Sequence, residues 1–137
     1  MDDSLTSELM TECSQLLVVS RDRTLARVRA LENERQSIVD ASDSANLDDE
    51  HDPEGSTVAY ERAMVISLLD SARVSLVALD VANERLSNGT YGKCVRCDLP
   101  IGIERLRADV AATTCIVCVT AQSRLLRPAR TGPLRRH

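Results

Sequence analysis

No tryptophan and no phenylalanine occur in this chain of 137 residues, and Tyr60 and Tyr91 are its only aromatics. A compact core draws much of its buried area from rings. Leu, Val, Ala and Ile supply the apolar content here, which suits an elongated helical hairpin better than a rounded core. Lysine is nearly missing too: Lys93 stands against sixteen arginines, a bias of coding more than of function. Nearly every cation can therefore make planar, forked contacts. No apolar run approaches the ~18 residues that span a bilayer, which excludes a membrane helix. The opening M-D-D-S-L-T-S-E-L-M is acidic and has no apolar stretch, which excludes a signal peptide. A cytoplasmic protein, whose thiols stay reduced, is therefore expected. The length allows one domain, or one domain with an appended module.

Proline and glycine are absent from about 4 to 39, where Leu17, Thr24, Leu31 and Ile38 recur every seven residues and Val28 fills an intermediate position. The spacing is helical, although Ser14, Arg21 and Arg35 interrupt the second seam position. Ser4 or Thr6 is suited to cap this helix. From about 56 to 87 the pattern is cleaner: Val58, Val65, Ala72, Leu79 and Leu86 form one series, and Leu69 and Leu76 the other, broken by Arg62 and Asn83. Ser56 or Thr57 is placed as its N-cap, and Asn88-Gly89 supplies the stop. Neither helix buries its stripe alone. An antiparallel coiled-coil hairpin with arms of ~50 Å solves this, and the shortness of the connection favours it over pairing with a second copy.

The connection is the most acidic part of the chain. D-D-E-H-D-P-E-G-S-T, residues 48 to 57, holds Asp48, Asp49, Glu50, Asp52 and Glu54, and no Lys or Arg occurs from 40 to 54. The net charge of −4 is thus unevenly spread, since no carboxylate follows Asp109 and the C-terminus carries Arg124, Arg127, Arg130, Arg135 and Arg136. An EF-hand is excluded, because aligning Asp48, Glu50 and Asp52 to its first ligands puts Pro53 where Gly is needed and Ala59 at the Glu position. His51 reads as a solvated loop residue rather than a ligand.

Four of the five cysteines, Cys94, Cys97, Cys115 and Cys118, form C-x2-C-x17-C-x2-C. Four thiolates in two such knuckles make the tetrahedral, soft shell that Zn²⁺ prefers, with no place left for water, so one structural zinc is expected. Lys93 and Arg96 offset the charge of a zinc tetrathiolate. Disulfides would need an oxidising compartment, and a thiol redox pair would need a single C-x-x-C on a fold with strands. Cys13 stands apart as a small buried hydrophobe.

The residues between the knuckles are more specific still. Y-G-K-C-V-R-C-D-L-P-I-G-I-E-R-L-R-A-D-V-A-A-T-T-C-I-V-C resembles the zinc finger of the DksA/TraR family, whose pattern is approximately Tyr/Phe-Gly-x-Cys-x2-Cys-Gly-x2-Ile-x3-Arg-Leu-x-Ala-x-Pro-x-Ala-x2-Cys-x2-Cys. Tyr91, Gly92, Ile101, Arg105, Leu106, Ala108 and Ala112 fall in register with the cysteines over 28 residues. The resemblance implies a mainly α fold: a long coiled-coil hairpin over 1–88 with its acidic tip at about 40–56, a C4 zinc finger over 89–121, and a short helix end with a basic tail over 122–137.

It also implies a function. Members of this family are not enzymes; they bind RNA polymerase and insert the coiled coil into its secondary channel, where the tip modulates initiation. The family's Asp-x-Ala tip signature falls on Glu54, Gly55 and Ser56, or one residue later through Thr57, and is not intact in either register. Asp52 or Glu54 is the expected working carboxylate, and Tyr91, Arg105 and Leu106 the residues of finger packing or partner contact. Relatives that bind the alarmone (p)ppGpp use cations around the finger. Asp109 and Val119 stand in those places here, which predicts weak or no alarmone dependence through that site. A monomer without sequence-specific DNA binding is expected. Two alternatives remain: a DNA-binding zinc-finger protein, for which helix 2 offers only Arg62, Arg73 and Arg85, and a transcript-cleavage factor recruiting Mg²⁺ through Asp52 and Glu54.

Overall fold

The heptad stripes fold as the spacing predicts. The computed structural model describes residues 3–45 and 53–127, and among these the side chains of 7–41, 43 and 57–127. Helix α1 runs Asp3–Ala45 and α2 runs Pro53–Ser87; α3, Ile103–Ala108, and α4, Ile116–Leu126, belong to the finger. Leu17, Val28 and Leu31 of α1 are buried against Val65, Leu69, Ala72 and Leu79 of α2. The arms are antiparallel: Arg21 pairs with Asp80 at 2.7 Å, and Glu32, further along α1, with Arg73, nearer the start of α2, at 2.9 Å. Arg21 thus breaks the apolar seam because it reaches across it. These exposed pairs set register more than stability, at roughly 0–1 kcal/mol each. No described polar side chain is buried without a partner.

The helix ends differ from expectation. α1 continues past 39 to Ala45, with Gln36 donating to Asp40 Oδ1 one turn on at 2.9 Å. Ala41 and Ala45 favour helix, so the helix outruns its apolar stripe. Ser4 and Thr6 lie inside α1 rather than before it. At the other arm Pro53 is the first helical residue, where its missing N–H costs nothing and its fixed φ suits the turn. Ser56 and Thr57 therefore lie within α2, not at its N-cap. The arms are consequently unequal, 43 and 35 residues, or about 65 and 52 Å.

The far end of α2 stops where Asn88-Gly89 predicts. Gly89 takes a φ of 73°, Thr90 N–H donates to Arg85 O at 2.9 Å and Gly89 N–H to Leu86 O at 3.3 Å. This is the paired bond pattern of a Schellman end, which needs a left-handed residue at that point. It turns the chain back toward the base of the hairpin and so delivers the first cysteine knuckle there.

The core is divided. One cluster of buried residues, Val28, Leu31, Val65, Leu69 and Ala72, lies wholly within the hairpin. The other joins Cys13, Leu17, Leu79 and Ala82 of the hairpin to Tyr91, Cys94, Ile101, Leu106, Ala112 and Cys115 of the finger. At this lower end the seam is occupied by Cys13 and Ala82 rather than Ser14 and Asn83, because the finger packs on the hairpin there. Among the described residues no helix is long and apolar enough to cross a membrane.

Candidate metal centre

The first knuckle is a tight loop closed by its own backbone. Cys94 N–H donates to Leu99 O at 2.8 Å, Asp98 N–H to Cys94 O at 3.0 Å, and Ile101 N–H to Gly92 O at 2.8 Å. Lys93 and Pro100 face each other in an isolated antiparallel bridge. Asp98 adopts a φ of 59° at the position where the family pattern has Gly. Asp is among the few side chains that tolerate this region, so the loop keeps its shape without the glycine. The second knuckle opens a helix: Cys115 is the N-cap of α4, and Cys118 sits in its first turn. Val95 N–H, donating to Thr113 O at 2.9 Å, ties the two knuckles together.

The four sulfurs converge. All four ligand atoms lie within 4.8 Å of one another. Zn–S bonds of about 2.3 Å at tetrahedral angles hold sulfurs about 3.8 Å apart, and Cys97 Sγ and Cys115 Sγ are 3.8 Å apart. Cys94 is fully buried and Cys97 exposed, so the centre sits at the edge of the finger. The backbone N–H of Cys115, with those of Arg96 and Cys97, holds the Cys94 thiol down at about 6. The backbone N–H of Cys118 lowers Cys115 in the same way. The Cys118 thiol, by contrast, is pushed up to about 12, chiefly by its contact with Cys115. Four thiols this close cannot all ionise without a dication among them, and the backbone donors are already turned toward the charge that zinc would stabilise. The donor set fits one structural Zn²⁺, with no open position for chemistry.

The remaining finger residues mount this centre on the rod. Tyr91 is buried, and its phenol donates to Val110 O at 2.7 Å. Arg105 Nε donates to Thr114 O at 2.7 Å, just before the third cysteine, and Leu106 is buried in the shared cluster. The three therefore act in packing the finger. Arg85, in the last turn of α2, donates to Thr90 O at 3.0 Å and also to Lys93 O. Arg107 reaches back 95 positions to hold both oxygens of Glu12, at 3.0 and 3.2 Å. Cys13 lies beneath this fork, 1% exposed, as a packed hydrophobe rather than a fifth ligand. Sequence reasoning missed both arginine clamps. A cation in the last helical turn is a legible signal for Arg85; nothing local points Arg107 to Glu12.

Burial pushes the Tyr91 phenol well above its ordinary value, and the Cys13 sulfur beside it adds to the rise. A phenol raised on folding contributes stability that is complete below the unfolded value of about 10 and is lost as pH climbs above it. In a Tyr60→Phe background, absorbance at 295 nm reports Tyr91 alone. Phenolate should form only together with loss of helical signal. Ionisation near pH 10 in a fully folded protein would show that the ring is not held as described.

Of the tip residues, Glu54, Gly55 and Ser56 lie in the first turn of α2, and Asp52 lies outside the described residues. Asp109 lines a groove between the finger and the hairpin, away from the zinc ligands.

Comparison with known proteins agrees with this geometry. Residues 89–124 match the prokaryotic dksA/traR C4-type zinc finger. The fold is similar to that of the transcription factor DksA2 from Pseudomonas aeruginosa, with a TM-score of 0.73 and 24% identity, covering 86% of this chain and 85% of that one. No curated protein is significantly similar in sequence. Residues 89–124 thus match the C4-type zinc finger of the dksA/traR model, and the fold of the chain is similar to that of DksA2.

Proposed function

We propose that the protein is a transcription regulator, not an enzyme, that binds RNA polymerase and inserts its coiled-coil tip into the secondary channel to modulate initiation. The observation that carries this reading is the layout of the rod: a hairpin with arms of about 52 Å or more, a zinc-held base, and the chain's densest group of carboxylates between its two helices. Such an arm can reach a deep active centre, and carboxylates there meet basic side chains or Mg²⁺. The likeness in fold to a transcription factor supports the same reading.

Reading DNA sequence is disfavoured, because Arg85, Arg105 and Arg107 of the finger region are engaged in internal hydrogen bonds. Alarmone binding beside the finger is disfavoured too. Asp109 faces the groove there, Val119 is apolar, and Arg107, the cation lining that groove, is held by Glu12.

The test is binding and transcription with purified core polymerase, comparing wild type with Asp52→Ala/Glu54→Ala and adding (p)ppGpp to one arm. Wild type should bind and change promoter output equally with and without the alarmone. The double variant should bind and lose the effect. No binding by wild type refutes the reading; an effect that requires (p)ppGpp refutes alarmone independence alone.

A further inference from the structure

The two helices of the hairpin differ in what they present on their backs. Away from the seam, α1 carries chiefly polar residues, among them Asp22, Arg23, Arg29, Asn33 and Gln36, all exposed. The back of α2 instead repeats every seven residues, as the seam does. Tyr60, Ser67, Val74 and Val81 form one series, with Met64, Ser71 and Ala78 between them. Tyr60, Met64, Val74 and Val81 are 41 to 70% exposed. Valine and tyrosine are poorer helix formers than the Lys, Glu or Arg usual in water, so they weaken α2 and gain no burial in return. A stripe of this period fits another helix, because knobs enter holes in register only at seven residues. Ser67, Ser71 and Ala78 are small and let a second backbone come close between the larger side chains.

A second copy of α2 supplies such a helix. The stripe from Tyr60 to Val81 occupies the middle of α2 and is about 33 Å long, so a copy turned end for end covers all of it. Two faces of that length bury about 1,200 Å² in total, the lower bound of a specific interface. The charges of the rod set the direction. No Lys or Arg occurs from 40 to 54, at the end where the helices meet, and no carboxylate follows Asp109 at the other. Lys93, Arg96, Arg124 and Arg127 are exposed and outside the described ion pairs. Antiparallel copies set each acidic end beside the other's finger, whereas parallel copies set like against like. Near the twofold axis Asp70 stands close to its own counterpart, an unfavourable pair that keeps the dimer weak.

We propose that the back of α2 is the interface of an antiparallel homodimer in equilibrium with the monomer. Apolar burial on Tyr60, Met64, Val74 and Val81 supplies its affinity, and the opposed ends supply its orientation. The interface itself is independent of the polymerase-binding reading; its consequence rests on that reading. The dimer covers the stretch of rod that follows the tip, and a channel that admits one hairpin does not admit two. Self-association therefore holds the protein in a reserve form that polymerase draws apart.

The test is the mass of the full-length zinc-loaded protein by sedimentation over a dilution series. Wild type should pass from monomer to dimer in the micromolar range. Val74→Lys/Val81→Lys replaces exposed residues by a better helix former, so helicity and zinc content should be kept. It is expected to raise the dissociation constant by about tenfold or more. Val18→Lys, at an exposed valine of α1 off the stripe, should leave it within about twofold of wild type. Sodium chloride should weaken the dimer, and Asp70→Asn should tighten it. Wild type that stays monomeric to roughly 100 μM overturns the inference, as does a Val74→Lys/Val81→Lys variant that dimerises like wild type. A dimer that tightens with salt overturns the antiparallel arrangement. In a second arm, core RNA polymerase should bind the protein as monomer, and a dimer bound intact overturns the reserve form. A protein that dimerises yet fails to bind polymerase refutes the polymerase reading and leaves the interface standing.

Discussion

Removal of zinc, by chelation or by Cys94→Ser, is expected to abolish the finger and loosen the lower end of the hairpin, while the helices around Leu69 stay formed. Structural zinc in small fingers is worth about 10–16 kcal/mol of apparent binding free energy, all of it linked to folding. The finger has little else: α3 and α4 are 6 and 11 residues long, too short to hold themselves. The loss should then spread by a definite path. Cys94, Cys115, Tyr91 and Leu106 share one cluster with Cys13, Leu17, Leu79 and Ala82, so undocking the finger bares those hairpin residues. The distal cluster of Val28, Leu31, Val65, Leu69 and Ala72 contains no finger residue. Hydrogen exchange of the metal-free protein should show protection lost over 89–121 and lowered over 79–86, with 65–72 retained. Protection that vanishes uniformly would show a single cooperative unit, and an unchanged 79–86 would show that the shared cluster does not couple the parts.

Leu69→Ala should have the largest effect of any single truncation in the rod. Leu69 is 1% exposed at the centre of the distal cluster. Emptying such a site costs about 2–5 kcal/mol, a large part of the roughly 5–15 kcal/mol that holds a domain of this size. The flexible walls of a two-helix seam can partly close over the gap, which favours the lower half of that range. Leu68, its neighbour, is on the exposed side, and Leu68→Ala should change stability by less than about 0.5 kcal/mol. Zinc content should be unchanged in both, because neither residue touches the finger. Urea denaturation compares the two directly; equal midpoints would mean that the seam does not bury Leu69 as described.

The finger was legible almost residue by residue. Its four cysteines, Tyr91, Arg105 and Leu106 keep fixed spacings within 28 residues, and the local backbone that converges the sulfurs is encoded in that same short stretch. The seams were legible too, because helical periodicity selects Leu17, Val65, Leu69 and Leu79 whatever their partner is. The ends of the arms were less so. Apolar periodicity stops near Ile38, yet the helix runs to Ala45, since propensity and local hydrogen bonds extend a helix that packing has already nucleated. Pro53 reads as a breaker by composition and acts as the opener of α2, because a proline obstructs a helix only behind its first turn.

The sequence by itself determined the zinc site, the helical class and the hairpin, since each depends on periodicity or spacing between neighbours in the chain. Only the tertiary structure decided how the finger is fixed to the rod. The Arg107–Glu12 fork, the burial of Cys13 under it and the displacement of the seam onto Ala82 join residues up to 95 positions apart. No local pattern specifies such pairs. They arise when a rigid, zinc-held module is brought by the turn at Gly89 against the base of the hairpin, and the side chains found there become its interface.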